Sequence, residues 1–439
     1  MKFTVSLSFL LIIITFLISC KEEPTKPQTE TNLTLEVLDK SCTEVWIDVK
    51  ANDQTNKLGS VYLNDEFRTQ FYLKDTVVYL DNLLPNKSYR IILSDQDGKT
   101  SQTEFTTMDT TSHNFTWETF EFGGGSSSIL SDVAIINEND IWAVGEIFTE
   151  DTHTYDSNGV WQQPYNAVHW DGNEWELKRI FFYIDPDQPN AGKISSECIS
   201  VFKFENGDYI ITSNVQAAVF RNGSDQYKLI HESFSWEERF GLNAIWGKST
   251  NDFYAIGKKG NIAHYNGNSW SKIETELNGI TDNNISHIFG VENILTKEYE
   301  YYLSVPPTNT VYYMTSNYSL QKLELNNKFF RGIWSKNGLS VYIAGYGIVK
   351  GINKEWIEQS ELNNQFYIEI IGTGENNIVA AGLNGNVAVY NGKRWKNFKI
   401  GNGTNINFFG AAITENIVIS VGAKYGNSDT GFICIGRRN

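Results

Sequence analysis

The chain is 439 residues long, which leaves room for two or more domains, and its 41% of hydrophobic residues argues against global disorder. Aromatic residues make up 14% of the chain and 35 glycines stand against 8 prolines, a balance typical of many short strands joined by tight turns. The formal net charge of −16, with no long basic stretch, argues against nucleic acid as a partner.

The first twenty residues indicate export. An almost wholly apolar run from Val5 to Ile18 is too short for a comfortable transmembrane helix, so we predict a signal peptide over residues 1–19. The run ends in Leu-Ile-Ser-Cys, which resembles the lipobox of bacterial lipoproteins. The resemblance implies that Cys20 is lipidated, becomes the mature N-terminus and anchors the protein to a membrane. The alternative is an ordinary secretory signal with a chance cysteine.

The residues after Cys20 contain a second possible localisation signal. Lys21-Glu22-Glu23 resembles the export signal that takes lipoproteins of Bacteroidetes-type bacteria to the outer face of the outer membrane. The resemblance implies a lipid-anchored outer-membrane protein that faces the cell exterior. The stretch from Glu23 to Thr31 has two prolines, several threonines and no apolar residue, so we predict a flexible tether over residues 20–31.

Short alternating runs separated by turn signals predict a β-sandwich over residues 32–108. Within it, the segment LLPNKSYRIIL resembles the corner before strand F of fibronectin type III domains, with Leu83, Pro85 and Tyr89 in the matching places. Trp46 stands where such domains carry a core tryptophan on strand B. The resemblance implies that Trp46 and Tyr89 are framework residues and that this domain is a spacer or an adhesive module, without an enzymatic role.

A strand–turn–strand unit ending in glycine recurs through the rest of the chain, as in SDVAIINENDIWAVG and IEIIGTGENNIVAAG. Degenerate copies end at Ser213 and Ser304, which brings the number of copies to seven. The closing glycines of the clear copies are Gly145, Gly257, Gly345, Gly382 and Gly422.

Two more strands complete each repeat and flank an Asn-Gly or Asp-Gly dipeptide, which predicts a two-residue hairpin because both turn positions need positive φ. Four antiparallel strands in a unit of roughly 40 residues are typical of a propeller blade. We therefore predict a β-propeller over residues 114–439, with seven blades. The dipeptides are Asp171-Gly172, Asn222-Gly223, Asn266-Gly267 and Asn391-Gly392.

The two ends of the repeat array are complementary. The last repeat stops after a third strand, GFICIGRR, whereas a lone strand with Trp117 precedes the first repeat. We predict that this strand, residues 115–122, completes the last blade and closes the ring. The predicted fold class is all-β, an N-terminal fibronectin type III-like β-sandwich followed by a β-propeller. The whole chain resembles bacterial surface proteins with this domain order.

The sequence predicts neither a metal site nor a cofactor. His169 and His264 occupy equivalent places in their repeats, where Phe220 and Val389 stand in others, so this place is a packing position. Neither a G-x-S-x-G nor an H-E-x-x-H motif occurs, and no catalytic residue is assigned.

The best place for a ligand is the propeller axis, because the first strand of each blade lines the central channel. Aligning these strands puts different polar side chains near one channel mouth, as a binding site requires. Asp132 and Glu369 could also act as acid and base in glycoside cleavage, or could simply hydrate the channel or pair with Arg331. The candidate residues are Asp132, Asn243, His287, Arg331 and Glu369.

The first repeat also carries two insertions, a polar one over Glu146–Tyr165 and an aromatic one over Phe181–Ser195. We predict that Phe181, Phe182 and Tyr183 form a binding loop that stacks on a sugar ring or a peptide. The alternative is that they pack over the edge of the blade.

Three functions remain open at this stage. The favoured one is a non-catalytic, monomeric surface protein that binds a glycan or a protein through one propeller face. The second is a hydrolase or lyase acting on extracellular polysaccharide. The third is an assembly factor for another envelope complex, which would carry a broad apolar patch.

Overall fold

The computed structural model describes residues 33–51, 57–214, 216–231, 241–278, 284–306, 309–325, 329–352, 355–362, 364–401 and 405–439. The predicted signal peptide and tether, with Cys20, lie outside these residues. The described residues contain no α-helix, and none of their helices could span a membrane. Short 3-10 helices lie at Pro189–Ala191, Lys258–Gly260, Ser360–Leu362 and Leu383–Gly385.

The described residues divide into two compact units, one within residues 33–36, 48–78 and 90–103, the other within residues 37–47, 79–89 and 104–439. Among the described residues, seven strands precede residue 108 and form two sheets. One sheet has the order β1-β2-β5, from Thr34–Lys40 (β1), Val45–Lys50 (β2) and Thr76–Leu80 (β5). The other has the order β4-β3-β6-β7, from Leu58–Leu63 (β3), Glu66–Tyr72 (β4), Ser88–Asp95 (β6) and Thr100–Thr106 (β7).

In the first unit, burial alternates along β3 and β6, as expected for a sheet with one face in the core. Val61 and Leu63 of β3 lie opposite Leu93 and Ile91 of β6, and all four side chains are buried.

Trp46 and Tyr89, the predicted framework residues, are buried in the second unit. The Tyr89 hydroxyl accepts a hydrogen bond from the backbone N–H of Leu84 at 2.8 Å. The Trp46 ring lies 5.4 Å from the Tyr79 ring, centroid to centroid. Both aromatic rings are therefore used for packing and are not available as a stacking surface.

From residue 115 onwards the described strands form seven four-stranded sheets, numbered here in chain order. Sheet 1 contains Ile129–Asn137 (β9), Asp140–Ile147 (β10), Tyr165–Trp170 (β11) and Trp175–Lys178 (β12). A separate hairpin follows, Phe182–Tyr183 (β13) with Lys193–Ile194 (β14). Sheet 2 contains Ser200–Lys203 (β15), Tyr209–Thr212 (β16), Gln216–Phe220 (β17) and Tyr227–His231 (β18).

The next four sheets repeat the same strand order. Sheet 3 contains Ala244–Ser249 (β19), Asp252–Ile256 (β20), Ile262–Tyr265 (β21) and Trp270–Ile273 (β22). Sheet 4 contains His287–Glu292 (β23), Tyr299–Val305 (β24), Thr310–Thr315 (β25) and Leu320–Lys322 (β26). Sheet 5 contains Phe330–Trp334 (β27), Ser340–Gly345 (β28), Gly347–Ile352 (β29) and Glu355–Glu358 (β30). Sheet 6 contains Tyr367–Gly374 (β31), Asn377–Gly382 (β32), Asn386–Tyr390 (β33) and Trp395–Lys399 (β34).

The seventh sheet combines the two ends of the repeat array. Its first three strands are Ile406–Ile413 (β35), Ile417–Lys424 (β36) and Thr430–Arg438 (β37). Its outer strand is Phe115–Phe122 (β8), which is antiparallel to β37 with Trp117 opposite Gly436. The segment predicted to complete the last repeat therefore contributes the fourth strand of that sheet.

Each sheet packs on its neighbours through an apolar core that both sheets share. Seven such cores are formed by the described residues, and each combines side chains of two consecutive sheets. The core that contains Leu130 and Ile141 of sheet 1 also contains Ile419 and Ile433 of sheet 7. The first and last sheets are thus held together by the same kind of packing as all the others.

The hairpins between third and fourth strands differ from the two-residue turns predicted. In sheet 1, Trp170 pairs with Trp175, so four residues form the loop. The Asp171 carboxylate accepts hydrogen bonds from the backbone N–H groups of Asn173 and Glu174 at 2.8 and 2.9 Å. Only the glycine of each dipeptide has positive φ, 97° at Gly172. The side chain before the glycine therefore stabilises a longer loop, in the manner of an Asx turn.

Candidate functional site

In four of the seven sheets, the first strand has an irregular start that leaves one residue outside the regular pairing. In β9, Leu130 and Asp132 pair with successive residues of β10, so Ser131 is an extra, bulged residue. The same irregularity occurs at Ile368 in β31 and at Phe409 in β35. Such bulges redirect a side chain relative to a regular strand.

The residues at the corresponding position of all seven sheets line one cavity of about 740 Å³, which we call the axial cavity. The set combines apolar and polar residues, so the cavity wall differs from one side to the other. Its members are Ser131, Ile199, Asn243, Ser286, Arg331, Ile368 and Phe409.

The structure places all five axial candidates in the axial cavity. Asn243 and Arg331 belong to the set of seven, whereas Asp132, His287 and Glu369 come directly after a member of it. No two of the five belong to the same sheet, which explains why only an alignment of the repeats could group them.

Asp132 is held by three hydrogen bonds, two of them from sheet 2. Its Oδ2 accepts from the Ser200 hydroxyl at 2.8 Å and from the Val201 backbone N–H at 2.9 Å. Its Oδ1 accepts from the backbone N–H of Val133 at 2.8 Å. Burial raises the pKa of Asp132 to about 6, although the three hydrogen bonds act in the opposite direction. Ser200 was not predicted, because a single serine in a strand gives no sequence signal.

Glu369 and His287 face each other, with 3.7 Å between Glu369 Oε2 and His287 Nδ1. Burial, followed by the charge of Asp132, raises the pKa of Glu369 well above its usual range. Burial lowers the pKa of His287 to about 4, and its Nε2 lies 3.2 Å from the carbonyl oxygen of Ile333. The imidazole is therefore neutral at pH 7, and the Glu369 carboxyl favours its protonated form. The pair therefore carries little charge at pH 7.

Arg331 brings a cationic group to the same cavity. Burial lowers its pKa, and no acidic side chain of the described residues forms an ion pair with it. The expected alternative, pairing of Arg331 with Asp132 or Glu369, is therefore not what the structure shows. Next to it in the series of equivalent positions, the Ser286 hydroxyl is buried and has no hydrogen-bond partner among the described residues.

Replacement of Glu369 by glutamine tests this electrostatic picture. A carboxyl whose pKa is higher in the folded than in the unfolded state contributes to the stability of the folded protein at low pH. This contribution is lost as the pH rises through the pKa that the carboxyl has in the folded state. The free energy of unfolding of Glu369→Gln should match that of the wild type near pH 4 and exceed it at alkaline pH. The difference should reach about 1.4 kcal/mol for each unit by which folding raises the pKa. Urea unfolding across the pH range measures it.

The matched control for this test is Glu118→Gln, since Glu118 is exposed on β8. This control should follow the wild type at every pH. A Glu369→Gln variant that does the same would show that Glu369 is ionised and well solvated in the folded protein.

The prediction that Phe182 belongs to a binding loop is wrong. Its side chain is 1% exposed and lies in the core shared by sheets 1 and 2. Backbone hydrogen bonds fix this segment on sheet 2. Phe181 N–H donates to the Tyr227 hydroxyl at 3.0 Å, and Tyr183 N–H donates to the side-chain oxygen of Gln216 at 3.1 Å. Phe181 and Tyr183 are half-buried. The physical reason is that Phe182 fills the space between two sheets, so it cannot stack on a ligand.

The polar insertion of the first repeat also carries two exposed aromatic rings. Tyr155 and Trp161 are 67% and 46% exposed and form an isolated β-bridge with each other. The Trp161 ring stacks on His153 at 5.8 Å. Sequence reasoning missed this surface, because two aromatic residues in a polar loop have no periodicity from which a shared face could be derived.

The two repeat histidines serve packing and hydrogen bonding. His169 stacks on Trp142 at 4.3 Å and its Nε2 lies 2.9 Å from Asp140 Oδ1. His264 stacks on Tyr254 at 4.5 Å in the same arrangement. Across the described ranges, no group of three or more His, Cys, Asp or Glu residues could hold a metal ion.

The chain matches no protein-family model and no curated protein sequence. It is similar to solved structures of YCF48. One is YCF48 bound to D1 peptide, at 12% identity and a TM-score of 0.53, covering 75% of this chain and 100% of that chain. Another is YCF48 from Cyanidioschyzon merolae, at 12% identity and a TM-score of 0.50, covering 73% of this chain and 98% of that one.

A third similar structure is a catalytically inactive variant of virginiamycin B lyase from Staphylococcus aureus with quinupristin. Its identity is 10% and its TM-score 0.51, with 73% of this chain and 99% of that chain covered. At such identities the likeness is one of fold alone. Together with consecutive four-stranded sheets that pack on one another, it shows that the chain is an all-β protein with a β-propeller fold.

Proposed function

We propose that this chain is a non-catalytic binding protein that holds its ligand at the axial cavity of a seven-bladed propeller, each of the seven sheets being one blade. The observation that carries the proposal is the set of seven equivalent positions around the cavity. Side chains that only complete a core tend to repeat from sheet to sheet, whereas this set combines isoleucine, phenylalanine, serine, asparagine and arginine. Convergence of unlike groups on one cavity is what recognition of an asymmetric ligand requires.

The hydrogen bonding of Asp132 supports a binding role over a catalytic one. Its Oδ2 accepts hydrogen bonds from Ser200 and Val201 of sheet 2 at 2.8 and 2.9 Å, and its Oδ1 accepts one from the next residue of its own strand, Val133, at 2.8 Å. A general base needs a free lone pair directed at the proton that it removes. In this state Asp132 instead connects sheets 1 and 2, which fixes the shape of the cavity wall.

We also propose that the protein is held at the outer membrane by a lipid anchor. Lipidation of Cys20 anchors the protein to the outer membrane, residues 20–31 act as a tether, and the fibronectin type III-like domain of residues 32–108 acts as a spacer. The propeller then faces the cell exterior as a monomer. The lipobox-like sequence and the Lys-Glu-Glu that follows it support this placement.

The ligand is a glycan or a protein. One similar structure is titled YCF48 bound to D1 peptide, so a propeller of this kind is compatible with a peptide ligand. The exposed rings of Tyr155 and Trp161 are tilted by 68° to each other, and an exposed aromatic ring also suits stacking on a sugar ring.

A polysaccharide hydrolase or lyase is the second candidate, and one observation favours it. Glu369 has a strongly raised pKa, and the charge of Asp132 contributes to it. A protonated carboxylic acid near a second carboxylate is the arrangement that acid–base cleavage of a glycoside uses. Release of reducing sugar from a polysaccharide by the wild type, and its loss in Glu369→Gln, would establish this candidate and contradict a non-catalytic role.

A ligand screen tests the favoured function. The soluble mature protein, with Cys20 replaced by serine, is applied to a glycan array and is photo-cross-linked in outer-membrane vesicles. We expect saturable binding to one glycan class or one envelope protein, with cross-links at residues of the axial cavity. Binding without cross-links at the cavity, or no saturable binding in either format, would contradict the proposal.

A further inference from the structure

We infer that the axial cavity selects an organic anion, a ligand that joins a carboxylate to an apolar body. The inference rests on the proposed function and names the chemistry of the ligand at that same site. It follows from the way in which polar and apolar side chains are distributed around the seven equivalent positions.

Three consecutive positions carry hydrogen-bond donors. Asn243, Ser286 and Arg331 hold the same structural position on sheets 3, 4 and 5, so they form one continuous arc of the cavity wall. The Asn243 amide donates to the carbonyl oxygen of Ile285 at 3.1 Å, which fixes its orientation. An arc of donors with one permanent positive charge fits a carboxylate, which is planar and accepts several hydrogen bonds.

Two members of the arc lack the partners that burial usually demands. The Ser286 hydroxyl is buried without a hydrogen bond, and Arg331 has no acidic partner among the described residues. Buried polar atoms without partners cost free energy, since water no longer solvates them. An anion in the cavity would compensate the Arg331 charge, which a neutral ligand would leave uncompensated.

The opposite arc is mostly apolar. Ile368, Phe409 and Ile199 occupy the remaining positions together with Ser131. They can bury an apolar body that extends from the carboxylate across the cavity. A small hydrophilic anion would use only the donor arc and would leave the apolar arc in contact with water.

The two acids that directly follow members of the seven equivalent positions are compatible with this charge. Glu369 favours its neutral form, and the Asp132 carboxylate already accepts three hydrogen bonds from sheets 1 and 2. Glu369 comes from sheet 6, but its Oε2 lies 3.7 Å from His287 Nδ1 on sheet 4, so a neutral carboxyl reaches the sheets that carry the donor arc. Asp132, the ionised carboxylate, belongs to sheet 1, outside those sheets.

Binding of hexanoate, acetate and hexanamide to the soluble full-length mature protein tests the inference. Hexanoate has both parts of the expected ligand, acetate lacks the apolar body and hexanamide lacks the charge. Ligand-observed NMR titration should give a dissociation constant on the order of millimolar for hexanoate, as expected for so few atoms. Acetate and hexanamide should each bind at least tenfold more weakly. Equal binding of acetate or of hexanamide would overturn the inference.

Substitution of Arg331 locates the anion. Loss of a charge-assisted hydrogen bond should weaken hexanoate binding at least tenfold in Arg331→Gln and less in Arg331→Lys, which keeps the charge without the planar fork. Arg394→Gln changes an exposed arginine in a hairpin loop and should leave binding unchanged. A thermal unfolding midpoint near that of the wild type shows that each variant is folded. If Arg331→Gln does not fold, Ser286→Phe is used in its place, because the phenylalanine ring blocks the donor arc.

Failure of this inference is distinguishable from failure of the proposed function. If the natural ligand cross-links to the cavity but hexanoate does not bind, the cavity is a binding site for another chemical class. If hexanoate binding survives both Arg331→Gln and Ser286→Phe, the anion lies elsewhere and the inference is wrong.

Discussion

Replacing Gly345 by alanine is expected to lower the free energy of unfolding by about 3 kcal/mol, because no space exists for a side chain there. A Cβ atom at this position would lie 1.7 Å from the backbone carbonyl oxygen of Phe329, on the segment that leads into the first strand of the same sheet. The backbone cannot yield as a flexible side chain would, so β27 and β28 must separate. Urea unfolding followed by tryptophan fluorescence measures the loss.

The matched control is Gly426→Ala, where the nearest atom to the added Cβ would be the Ser428 carbonyl oxygen at 3.7 Å. We expect this variant to stay within about 0.5 kcal/mol of the wild type. Equal stability of the two variants would show that the close approach of the strands at Gly345 is not a constraint on the fold.

Replacing Glu44 by alanine is expected to cost about 3 kcal/mol, because it leaves a buried lysine with little compensation. The Lys350 ammonium donates to both Glu44 oxygens, at 2.8 and 2.6 Å, and its side chain is only 7% exposed. The same carboxylate accepts from the hydroxyls of Tyr79 and Ser41, at 2.8 and 3.0 Å. The remaining acid, Glu375, stands 3.8 Å from the ammonium.

Glu121→Ala is the control for the Glu44 variant. Glu121 pairs with Lys424 at 2.6 Å, but both side chains are about two-fifths exposed, at 44% and 38%. Exposed pairs of this kind contribute at most about 1 kcal/mol. If both variants lose the same small amount of free energy of unfolding in chemical denaturation, the Lys350 ammonium is hydrated and the buried ion pair contributes no more than an exposed one.

The propeller could be predicted from the sequence because its glycines repeat for a local physical reason. At Gly145, Gly382 and Gly422, as at Gly345, a Cβ atom would lie 2.0 Å or less from a carbonyl oxygen near the first strand. Every sheet with this geometry therefore needs glycine at the same place, and a period of about 40 residues becomes visible. The closing strand was predictable for a related reason, since Trp117 packs over Gly436 as Trp356 packs over Gly351 in sheet 5.

The details of the loops could not be predicted in this way. Asn-Gly and Asp-Gly indicated the hairpins but not their length, because the Asx side chain can accept hydrogen bonds from two backbone N–H groups and so stabilise a four-residue loop. Phe182 was predicted to lie at the surface because two aromatic residues flank it in the sequence. Its side chain instead fills a core shared by two sheets. Such a contact depends on the packing of two sheets and leaves no local pattern.

The sequence could predict which residues belong to the candidate site, but not their protonation states or hydrogen-bond partners. Alignment of the repeats groups Asp132, Asn243, His287, Arg331 and Glu369 around one cavity, since equivalent positions converge on the axis of a propeller. Which acid is neutral, and which cation lacks a partner, depends on burial and hydrogen bonds between different sheets. The missing ion pair of Arg331 is therefore a property that only the three-dimensional structure provides.

The proposal that the ligand binds in the axial cavity is tested most directly by filling the cavity with a larger side chain and measuring ligand affinity. Ile199→Trp adds a large ring at the cavity wall, whereas Ile357→Trp adds the same ring at a residue that is 53% exposed on the outer strand of sheet 5. Both variants and the wild type are compared on one glycan array and one outer-membrane extract, by equilibrium binding. We predict at least a hundredfold loss of affinity for Ile199→Trp and unchanged affinity for Ile357→Trp. Full binding by a folded Ile199→Trp variant would contradict the account.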